Sequence, residues 1–452
     1  MVSIINPWTG AVDYQYDYQS PAEVERRLQQ AALAAPAWAA RPLAERAELL
    51  RRVAKLLRQE CDDIATIVSA EMGKLIREAR AEVEKSASAC DYYAEHAADY
   101  LADQPIATEA LSSYVRYEPL GCVLAVMPWN FPIWQVFRFL APALMAGNVA
   151  LLKHATTVPR SADRIGALLA SAGAPAGVLG VLHIDNAGAA AVIADPRVHA
   201  VSLTGSERAG RSVAASAGAA LKKCVLELGG SDPFVLLDDA DLNAAIPVAI
   251  ASRFGNAGQT CIAAKRFIVT PGIADAFVRR LVAAAEELKV GDPSDPATGL
   301  APMARADLRD SLHEQVQASI AAGAKLCVGG VPGAGRTAYP ATVLDQVGPG
   351  MPAYTEELFG PVAAVIRVAD AEAALAVANA SRFGLGASVW TEDRERGDRF
   401  ARGLEAGACF VNSLVRSDPR LPFGGSKASG YGRELAEHGI REFTNIKTVY
   451  VA

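Results

Sequence analysis

The spacing of hydrophobic residues over the first hundred positions is typical of amphipathic helices. Ser20-Pro21-Ala22-Glu23 has the spacing of a capping box with proline in the first turn, and apolar residues follow it at helical intervals. A second helix is expected to open near Pro42, and a third to run from about Leu75 to Leu101. These segments predict a helical layer without chemistry of its own.

The hydrophobic period changes from helical to strand-like at Ser112. Residues 112–118 alternate, and residues 121–126 form a nearly continuous apolar run, which suits a parallel strand buried on both faces. Similar short runs recur between alanine-rich helical stretches, at Val149–Leu152, Gly180–Ile184, Ala200–Leu203 and Cys224–Leu226. This alternation predicts a doubly wound α/β sheet.

A second α/β unit is predicted after Pro233. Helical patterns occur near residues 273–288 and 305–322. Strand-like runs follow at residues 362–368, 387–390 and 408–412. The glycine- and proline-rich residues 328–340 are expected to form a surface loop, and the chain finishes on a β-prone tail at residues 448–451.

Polar or glycine-containing segments follow four of the strands in the first unit. They contain Asn130, Lys153, Thr204-Gly205-Ser206 and Glu227. Because ligands of open α/β sheets bind beyond the carboxyl ends of the strands, these four ends are expected to converge on one crevice. Residues 205–210 would open a helix whose free amides point at a phosphate, although the usual GxGxxG fingerprint is absent.

Composition and charge narrow the classes of function. The 452 residues are enough for about two to three domains, and 44 basic against 50 acidic residues form no basic block, which argues against a nucleic-acid partner. Seven scattered cysteines without a CxxC pair argue against a disulfide framework or a metal site, so a reducing cytoplasm is expected. The N-terminus lacks a signal-like pattern and no long apolar run occurs, so neither export nor membrane insertion is expected.

One cysteine occupies a glycine-rich bend. The stretch Gly255–Arg266 reads GNAGQTCIAAKR and places Cys261 just before a β-prone run. An isolated cysteine is more often a small buried hydrophobe than a catalyst, so the chemistry depends on its partners. Glu227 offers a carboxylate able to act as a base, and Asn130 a neutral amide donor for an oxyanion. These three residue types suit acyl transfer through a thioester.

Seven motifs in order give the chain a resemblance to the NAD(P)-dependent aldehyde dehydrogenase superfamily over essentially its whole length. They are P-W-N-F-P at Pro128–Pro132, Lys153 after a strand, T-G-S at Thr204–Ser206, E-L-G-G at Glu227–Gly230, G-Q-T-C at Gly258–Cys261, E-E-L-F-G-P at Glu356–Pro361 and P-F-G-G at Pro422–Gly425. The sequences around these motifs are most similar to those of bacterial succinate-semialdehyde dehydrogenases. The resemblance implies an α/β fold of two Rossmann-type domains with a small β oligomerisation arm.

The resemblance also implies catalytic roles. Cys261 would attack the aldehyde as a thiolate, and Asn130 with the Cys261 backbone amide would hold the resulting oxyanion. Hydride transfer to the nicotinamide would leave a thioester, and Glu227 would activate the water that hydrolyses it.

The implied cofactor is NADP or NAD. The resemblance assigns it the following contacts: Lys153 at the adenosine ribose, Gly205 and Ser206 at the pyrophosphate, Trp129 at the adjoining pocket, and Glu357 and Phe359 at the nicotinamide ribose and ring. Members strict for NAD often carry glutamate three residues after the lysine, and this chain has Thr156 there. NADP should therefore be tolerated, while NAD as the better substrate stays open.

The substrate is expected to be a short semialdehyde, with succinate semialdehyde favoured. Arg138 lies on an otherwise apolar helix and would bind the substrate carboxylate, as the resemblance implies, together with Ser417. Trp134 and Phe423 would form apolar walls. A second arginine used by some relatives is replaced by Gly255, with Arg416 and Arg253 as possible substitutes.

Three alternatives stay open. Arg138 could serve structure in an enzyme of broader specificity that acts on glutarate semialdehyde or aromatic aldehydes. Acyl transfer to CoA is less favoured because Glu227 is present. A dinucleotide-binding scaffold without turnover is the alternative outside enzymes.

The predicted division has three parts. The cofactor-binding domain comprises residues 1–110 and 120–226, the catalytic domain residues 227–431, and the oligomerisation arm residues 111–119 and 432–452. Because exposed β edges usually need a partner strand, a homodimer or homotetramer is expected.

Overall fold

The computed structural model describes residues 1–452. The helices are α1 (Pro21–Ala39), α2 (Leu43–Gln59), α3 (Cys61–Met72), α4 (Ile76–Tyr100), α5 (Trp134–Ala146), α6 (Pro159–Ser171), α7 (Asn186–Ala194), α8 (Glu207–Ala219), α9 (Leu242–Phe254), α10 (Pro271–Glu286), α11 (Ala306–Ala321), α12 (Pro352–Thr355), α13 (Ala371–Asn379), α14 (Arg394–Gly403) and α15 (Ala436–Glu442). The strands are β1 (Val2–Ile5), β2 (Val12–Tyr16), β3 (Gln104–Pro105), β4 (Ser112–Pro119), β5 (Cys122–Met127), β6 (Val149–His154), β7 (Leu179–Val181), β8 (Ala200–Thr204), β9 (Lys223–Glu227), β10 (Asp232–Leu236), β11 (Ala264–Val269), β12 (Lys325–Val328), β13 (Thr342–Asp345), β14 (Val362–Arg367), β15 (Phe383–Gly384), β16 (Gly386–Trp390), β17 (Ala408–Val411), β18 (Ser426–Lys427), β19 (Gly430–Tyr431) and β20 (Thr444–Val451).

The helical layer at the start of the chain forms as its sequence predicts. Helix α1 begins with the complete capping box, in which Ser20 and Glu23 each bond the backbone of the other. Helices α2 and α4 match the predicted second and third helices. Helix α3 was not predicted; it follows α2 after Glu60 alone and ends at Gly73, whose φ of 75° suits a glycine C-cap.

The first large sheet has six strands in the order β19-β9-β8-β5-β6-β7. All its pairings are parallel except that of β19 with β9, and helices α5 to α8 connect the parallel strands, so the predicted doubly wound sheet is confirmed. Strand β5 is buried along nearly its whole length, as its continuous apolar run predicts. Strand β7 ends at Val181, three residues before the predicted end.

The second large sheet has seven strands in the order β12-β13-β14-β11-β10-β16-β17. Only β12 runs antiparallel to its neighbour, so this unit is also mainly a parallel α/β sheet. The two central strands β10 and β11 are fully buried. The carboxyl-terminal side of α9 and the amino-terminal end of β11 bracket the Cys261 bend.

A three-stranded sheet in the order β20-β4-β3 lies apart from both. Strand β20 pairs with β4 over eight residues, from Thr444 opposite Pro119 to Val451 opposite Ser112. Its outer side chains are exposed, with Ile446 64% and Tyr450 50% accessible. No helix in the structure is long and apolar enough to span a bilayer.

Candidate active site

The Cys261 bend is held in place by strained and buried backbone. Before it, a one-turn 3-10 segment at residues 255–258 places Asn256 and Ala257 at φ values of 54° and 51°. Gly258 also has a positive φ, and a Cβ there would lie 2.3 Å from the Gly360 carbonyl oxygen. This close approach explains why glycine precedes the Gln259-Thr260-Cys261 segment.

Arg253 fixes this bend from beneath. Its Nη2 donates hydrogen bonds to the carbonyl oxygens of Gly258 at 2.6 Å and Gly360 at 2.7 Å, and the side chain is fully buried. The guanidinium is therefore committed to backbone oxygens. It is not placed to take the substitute role in carboxylate binding that the sequence left open.

Asn130 lies against the same bend. Its Nδ2 donates to the Gln259 carbonyl oxygen at 2.9 Å, which uses one of the two amide protons and leaves the other for a ligand. The backbone oxygen of Asn130 accepts from Lys74 Nζ at 2.8 Å and from Asn256 Nδ2 at 3.0 Å. Asn130 and the cysteine bend are thus joined into one buried network.

Lys265 joins the cysteine bend to Glu357. Its Nζ donates to the Cys261 carbonyl oxygen at 2.7 Å and the Thr260 carbonyl oxygen at 2.9 Å. The same Nζ lies 3.2 Å from a Glu357 carboxylate oxygen, and the lysine side chain is 1% exposed. Sequence reasoning missed Lys265, although a lysine within an apolar β-strand is a signal for a buried partner.

Burial sets the protonation of the nucleophile. Removal from water raises the pKa of the Cys261 thiol to about 11, while the positive charges of Arg138 and Lys265 act in the opposite direction. The thiol form therefore predominates near neutral pH in the protein without ligands. The reactive thiolate is a minor species that becomes more abundant as pH rises.

The rate at which iodoacetamide alkylates Cys261 is accordingly expected to rise nearly tenfold per pH unit from about pH 7 to about pH 10, because the thiolate alone reacts. Mass spectrometry of the peptide that contains Cys261 measures this rate in cofactor-free protein. A small thiol of ordinary pKa is the control, and its rate levels off at lower pH. A plateau for Cys261 below about pH 8 contradicts the high pKa.

Glu227 ends strand β9 in a buried position. The side chain is 3% exposed and neither carboxylate oxygen has a hydrogen-bond partner. Burial raises the pKa of Glu227 well above its usual value, the nearby charge of Arg138 lowers it, and Glu434 raises it further. A Cβ at Gly424 would lie 2.8 Å from Glu227 Oε1, so the glycine of the P-F-G-G segment leaves room for this carboxyl group.

A cavity of about 260 Å³ brings most of the predicted site residues together. Its lining residues that bear on the prediction are Trp129, Asn130, Thr204, Gly205, Ser206, Glu227, Cys261, Glu357 and Phe359. The expected convergence of strand ends is visible in the register, where Thr204 pairs with Glu227 and Met127 with His154. We call this space the first cavity.

The first cavity contains groups that suit a dinucleotide. Ser206 caps helix α8 by accepting from the Ala209 amide at 3.3 Å, and a Cβ at Gly205 would find no atom closer than 3.8 Å. Free amides therefore face open space at a helix N-terminus, where a phosphate is favoured. The rings of Trp129 and Phe359, which also line the cavity, meet edge to face with their centroids 5.9 Å apart.

Lys153 and Thr156 lie outside the lining of the first cavity, at the end of β6. Lys153 is 7% exposed, and burial lowers the pKa of its ammonium group. The backbone oxygen of Thr156 accepts a hydrogen bond from the Tyr16 hydroxyl at 3.0 Å, so the N-terminal hairpin covers this position. Strand β6 pairs with β5, which places both residues at the edge where Asn130 follows β5.

A second cavity, of about 310 Å³, lies across the cysteine bend. Its lining includes Trp134 of the predicted residues and five charged side chains, Lys74, Glu78, Glu82, Lys85 and Arg416. Neighbouring residues divide between the cavities: Phe131 lines the second and Asn130 the first. Likewise Thr260 and Ile262 line the second cavity while Cys261 lines the first, so the nucleophile lies in the shared wall.

Arg138 lines neither cavity. Its guanidinium forms an ion pair with Glu434, donates to Thr204 Oγ1 at 2.9 Å and lies 4.8 Å above the Phe423 ring, with 1% of the residue exposed. The Phe423 ring thus packs against the Arg138 guanidinium. The predicted contact of Arg138 with a substrate carboxylate stays a prediction, and it would require the Glu434 pair to open.

Ser417 is brought instead to Lys85. Lys85 Nζ donates to Ser417 Oγ at 2.8 Å and lies 4.2 Å from the centre of the Trp134 ring. Sequence reasoning missed Lys85. A signal was present, because Glu78, Glu82 and Lys85 recur at helical spacing along α4 and place charges on one face of a mostly buried helix.

No group of three or more metal-ligating side chains occurs in the structure, and all seven cysteines are free.

Comparisons with known proteins agree over the full length. The family model described as "Aldehyde dehydrogenase family" matches residues 1–449. Among curated proteins, the succinate semialdehyde dehydrogenase [NAD(P)+] Sad of Escherichia coli K12 is 50% identical over 448 residues, which cover 99% of this chain and 97% of that protein. A probable succinate-semialdehyde dehydrogenase [NADP(+)] of Synechocystis is 49% identical, with both chains fully covered.

A solved structure is similar over the same full length. The crystal structure of succinic semialdehyde dehydrogenase from Streptococcus pyogenes, in complex with NADP+, superposes with a TM-score of 0.97 at 40% identity. The alignment covers 99% of each chain. The two-sheet architecture and the third small sheet are therefore shared over the whole length.

Proposed function

This chain belongs to the aldehyde dehydrogenase family and has its α/β fold, and from that premise we propose that it oxidises succinate semialdehyde to succinate with NADP or NAD. The observation that carries the substrate proposal is the second cavity, where cationic side chains lie across the cysteine bend from the first cavity. The relatives at 49–50% identity named above are succinate-semialdehyde dehydrogenases, which supports the same substrate.

The first step is attack of Cys261 on the aldehyde carbonyl carbon. The carbonyl oxygen becomes an oxyanion, and the free amide proton of Asn130 and the Cys261 backbone N–H stabilise it. Arg138 and Lys265 favour the thiolate form electrostatically. The product of this step is a thiohemiacetal on the sulfur.

The dinucleotide supplies a hydride acceptor when it is bound in the first cavity. The α8 N-terminus at Ser206 would hold its pyrophosphate, Glu357 its nicotinamide ribose, and Trp129 and Phe359 the apolar walls. Lys153 would contact the adenosine ribose from the end of β6. Loss of hydride converts the thiohemiacetal carbon into a thioester on Cys261.

Glu227 completes the cycle by activating water. A general base must take a proton from the water that attacks the thioester carbon, and Glu227 lines the same cavity as Cys261. Its unpaired oxygens leave it free to accept that proton once the carboxyl group is ionised. Burial raises the pKa of Glu227, which favours the neutral form, so hydrolysis is expected to accelerate as pH rises.

Aldehyde panels run with NAD and NADP in parallel test the proposed function. Succinate semialdehyde should give the highest kcat/KM, with glutarate semialdehyde, butanal and benzaldehyde below it. A preference for a neutral or aromatic aldehyde would support the broader-specificity enzyme instead. Formation of an acyl-CoA on addition of CoA would identify an acylating enzyme, and no NAD(P)H from any aldehyde would leave a binding scaffold.

Introducing a carboxylate at Thr156 is expected to change cofactor preference. In T156E the new charge would repel a 2′-phosphate, so kcat/KM for NADP should fall by about tenfold or more while that for NAD changes little or rises. Initial rates with each dinucleotide at saturating aldehyde measure the ratio. Thr156→Gln is the matched control, because glutamine has the shape of glutamate without its charge. An equal fall of kcat/KM for NADP in T156E and T156Q would contradict the electrostatic reason.

The proposal extends to assembly and location. Exposed apolar side chains of β20 border a sheet that could continue with a partner's strand, so a homodimer or homotetramer is proposed. Light scattering after gel filtration gives the mass, and a monomer would refute it. A cytoplasmic location is proposed because seven free cysteines suit a reducing compartment, and cell fractionation checks it.

A further inference from the structure

The charges of the second cavity do not cancel. Lys74 forms a buried ion pair with Glu82, so these two neutralise each other. Glu78 accepts a hydrogen bond from the Asn256 amide, and burial raises the pKa of its carboxyl group, which favours the neutral form. Lys85 and Arg416 remain without a carboxylate partner, and the cavity therefore carries excess positive charge.

Of these two cations, Lys85 is the better placed to bind a small anion. Arg416 is exposed, whereas Lys85, on α4, is half-buried against the loop that carries Ser417. Lys85 Nζ bonds only the Ser417 hydroxyl oxygen, so two of its three protons are free. A desolvated ammonium group gains more from a carboxylate than an exposed one does.

The Ser417 hydroxyl group is a second hydrogen-bond donor beside Lys85. Because Lys85 donates to Ser417 Oγ, the hydroxyl proton of Ser417 is not used in that bond and is available for a ligand. Ser417 is 7% exposed and directly follows Arg416, which lines the second cavity. Lys85 and Ser417 together offer an ammonium group and a hydroxyl to the two oxygens of one carboxylate.

The position of Lys85 matches the far end of a short substrate. Lys85 contacts the ring of Trp134, whose neighbour Gln135 lines the first cavity, and Thr260 and Ile262 of the cavity wall flank Cys261. Lys85 and the two residues that flank Cys261 therefore line the same cavity, and Lys85 lies close enough to Cys261 for their charges to interact. Arg138 lines neither cavity, and its guanidinium is already paired with Glu434.

We infer that Lys85, assisted by Ser417, binds the carboxylate of the semialdehyde and so determines the enzyme's preference for acidic over neutral aldehydes. This inference rests on the proposed function and names a residue for its specificity. Arg138 is paired with Glu434, and its charge lowers the pKa values of Glu227 and Cys261.

Variants at Lys85 separate this role from a structural one. In K85M, which keeps the apolar stem, kcat/KM for succinate semialdehyde should fall by about 10- to 100-fold, as expected for loss of a hydrogen-bonded charge. The value for butanal should stay within about threefold. K85R should recover most of the loss, and S417A should show a smaller loss for the acidic substrate alone. Lys55→Met, on an exposed position of α2 without an ion pair, is the matched control.

The pH profile gives a readout that a structural role would not move. Burial and the neighbouring charge of Arg138 lower the pKa of Lys85 to about 8, while Glu82, Asp418 and Cys261 raise it. The ammonium form is therefore lost as pH rises through this region, and KM for succinate semialdehyde should increase above about pH 8 to 9. In K85R the increase should disappear, because arginine stays charged, and butanal should show no such increase in either protein.

The outcomes distinguish this inference from the proposed function. A K85M variant that loses activity equally on both aldehydes, or on neither, overturns the inference, as does a selective loss confined to Arg138→Leu. If no aldehyde is oxidised by the wild-type protein, the proposed function fails, and a thermal shift with succinate then decides Lys85 separately. Succinate should raise the Tm of wild type and K85R but not of K85M, and an equal rise in all three overturns the inference.

Discussion

Cys261→Ala is expected to abolish aldehyde-dependent NAD(P)H formation, with kcat reduced at least about 10⁴-fold. The reason is that the sulfur provides the only covalent route from aldehyde to thioester in the site, and no other cysteine lines either cavity. The variant should fold normally, because alanine occupies less space in a bend held by Arg253, Asn256 and Lys265. Loss of activity should therefore be a loss of chemistry alone.

Two measurements make that expectation specific. Initial rates by absorbance of NAD(P)H give the loss of kcat, and titration of protein fluorescence with the dinucleotide should give an unchanged Kd, since the groups that would hold it are intact. Cys327→Ala, in strand β12 far along the second sheet, is the matched control and should keep full activity. Turnover by Cys261→Ala within tenfold of wild type would eliminate the thioester route.

Glu227→Gln is expected to stop the enzyme after the first half of the cycle. Attack and hydride loss do not need the carboxylate, so about one equivalent of NAD(P)H should form rapidly in each site. Hydrolysis should then slow by about 10²- to 10⁴-fold, because glutamine cannot take the proton from water. The acyl group should accumulate on Cys261. Glutamine has nearly the same size and shape as glutamate, so the variant should be about as stable as wild type.

Rapid-mixing absorbance measures the burst, and mass spectrometry of the quenched protein should find a succinyl group on the Cys261 peptide. Glu314→Gln, on the exposed face of α11, is the matched control and should show steady turnover. Slow turnover without a burst would place Glu227 in the first half of the cycle. An unchanged steady-state rate would show that another group activates the water.

The sequence predicts the elements of this fold better than it predicts contacts between them. Alternation of short apolar runs with alanine-rich helices is enough for the first sheet, because strand burial on both faces leaves a continuous hydrophobic run in the chain, as in β5. Glycines at strand ends mark the residues that meet in the first cavity. Both kinds of signal are local, so both can be recognised in the sequence without knowledge of the neighbouring elements.

Contacts between distant residues leave no such local signal. Arg138 and Glu434 are separated by most of the C-terminal two thirds of the chain, and nothing in the apolar helix around Arg138 shows that its partner would be a glutamate. The same holds for Lys85 and Ser417, which meet because α4 packs beside the loop before the P-F-G-G segment. Charge on a buried helix face predicts that a partner exists, and the fold decides which one it is.

The wall between the two cavities is one residue thick, since adjacent positions such as Asn130 and Phe131, or Cys261 and Ile262, face opposite sides. Selection for a new aldehyde and selection for a new coenzyme can therefore act on different residues of the same short segments. Substitution of Phe131, Trp134 or Ile262 can change which substrate the enzyme accepts, while the neighbouring residues that carry out the reaction stay unchanged. Because residues facing the two cavities alternate along the chain, the same catalytic bend can be kept in enzymes that act on different aldehydes.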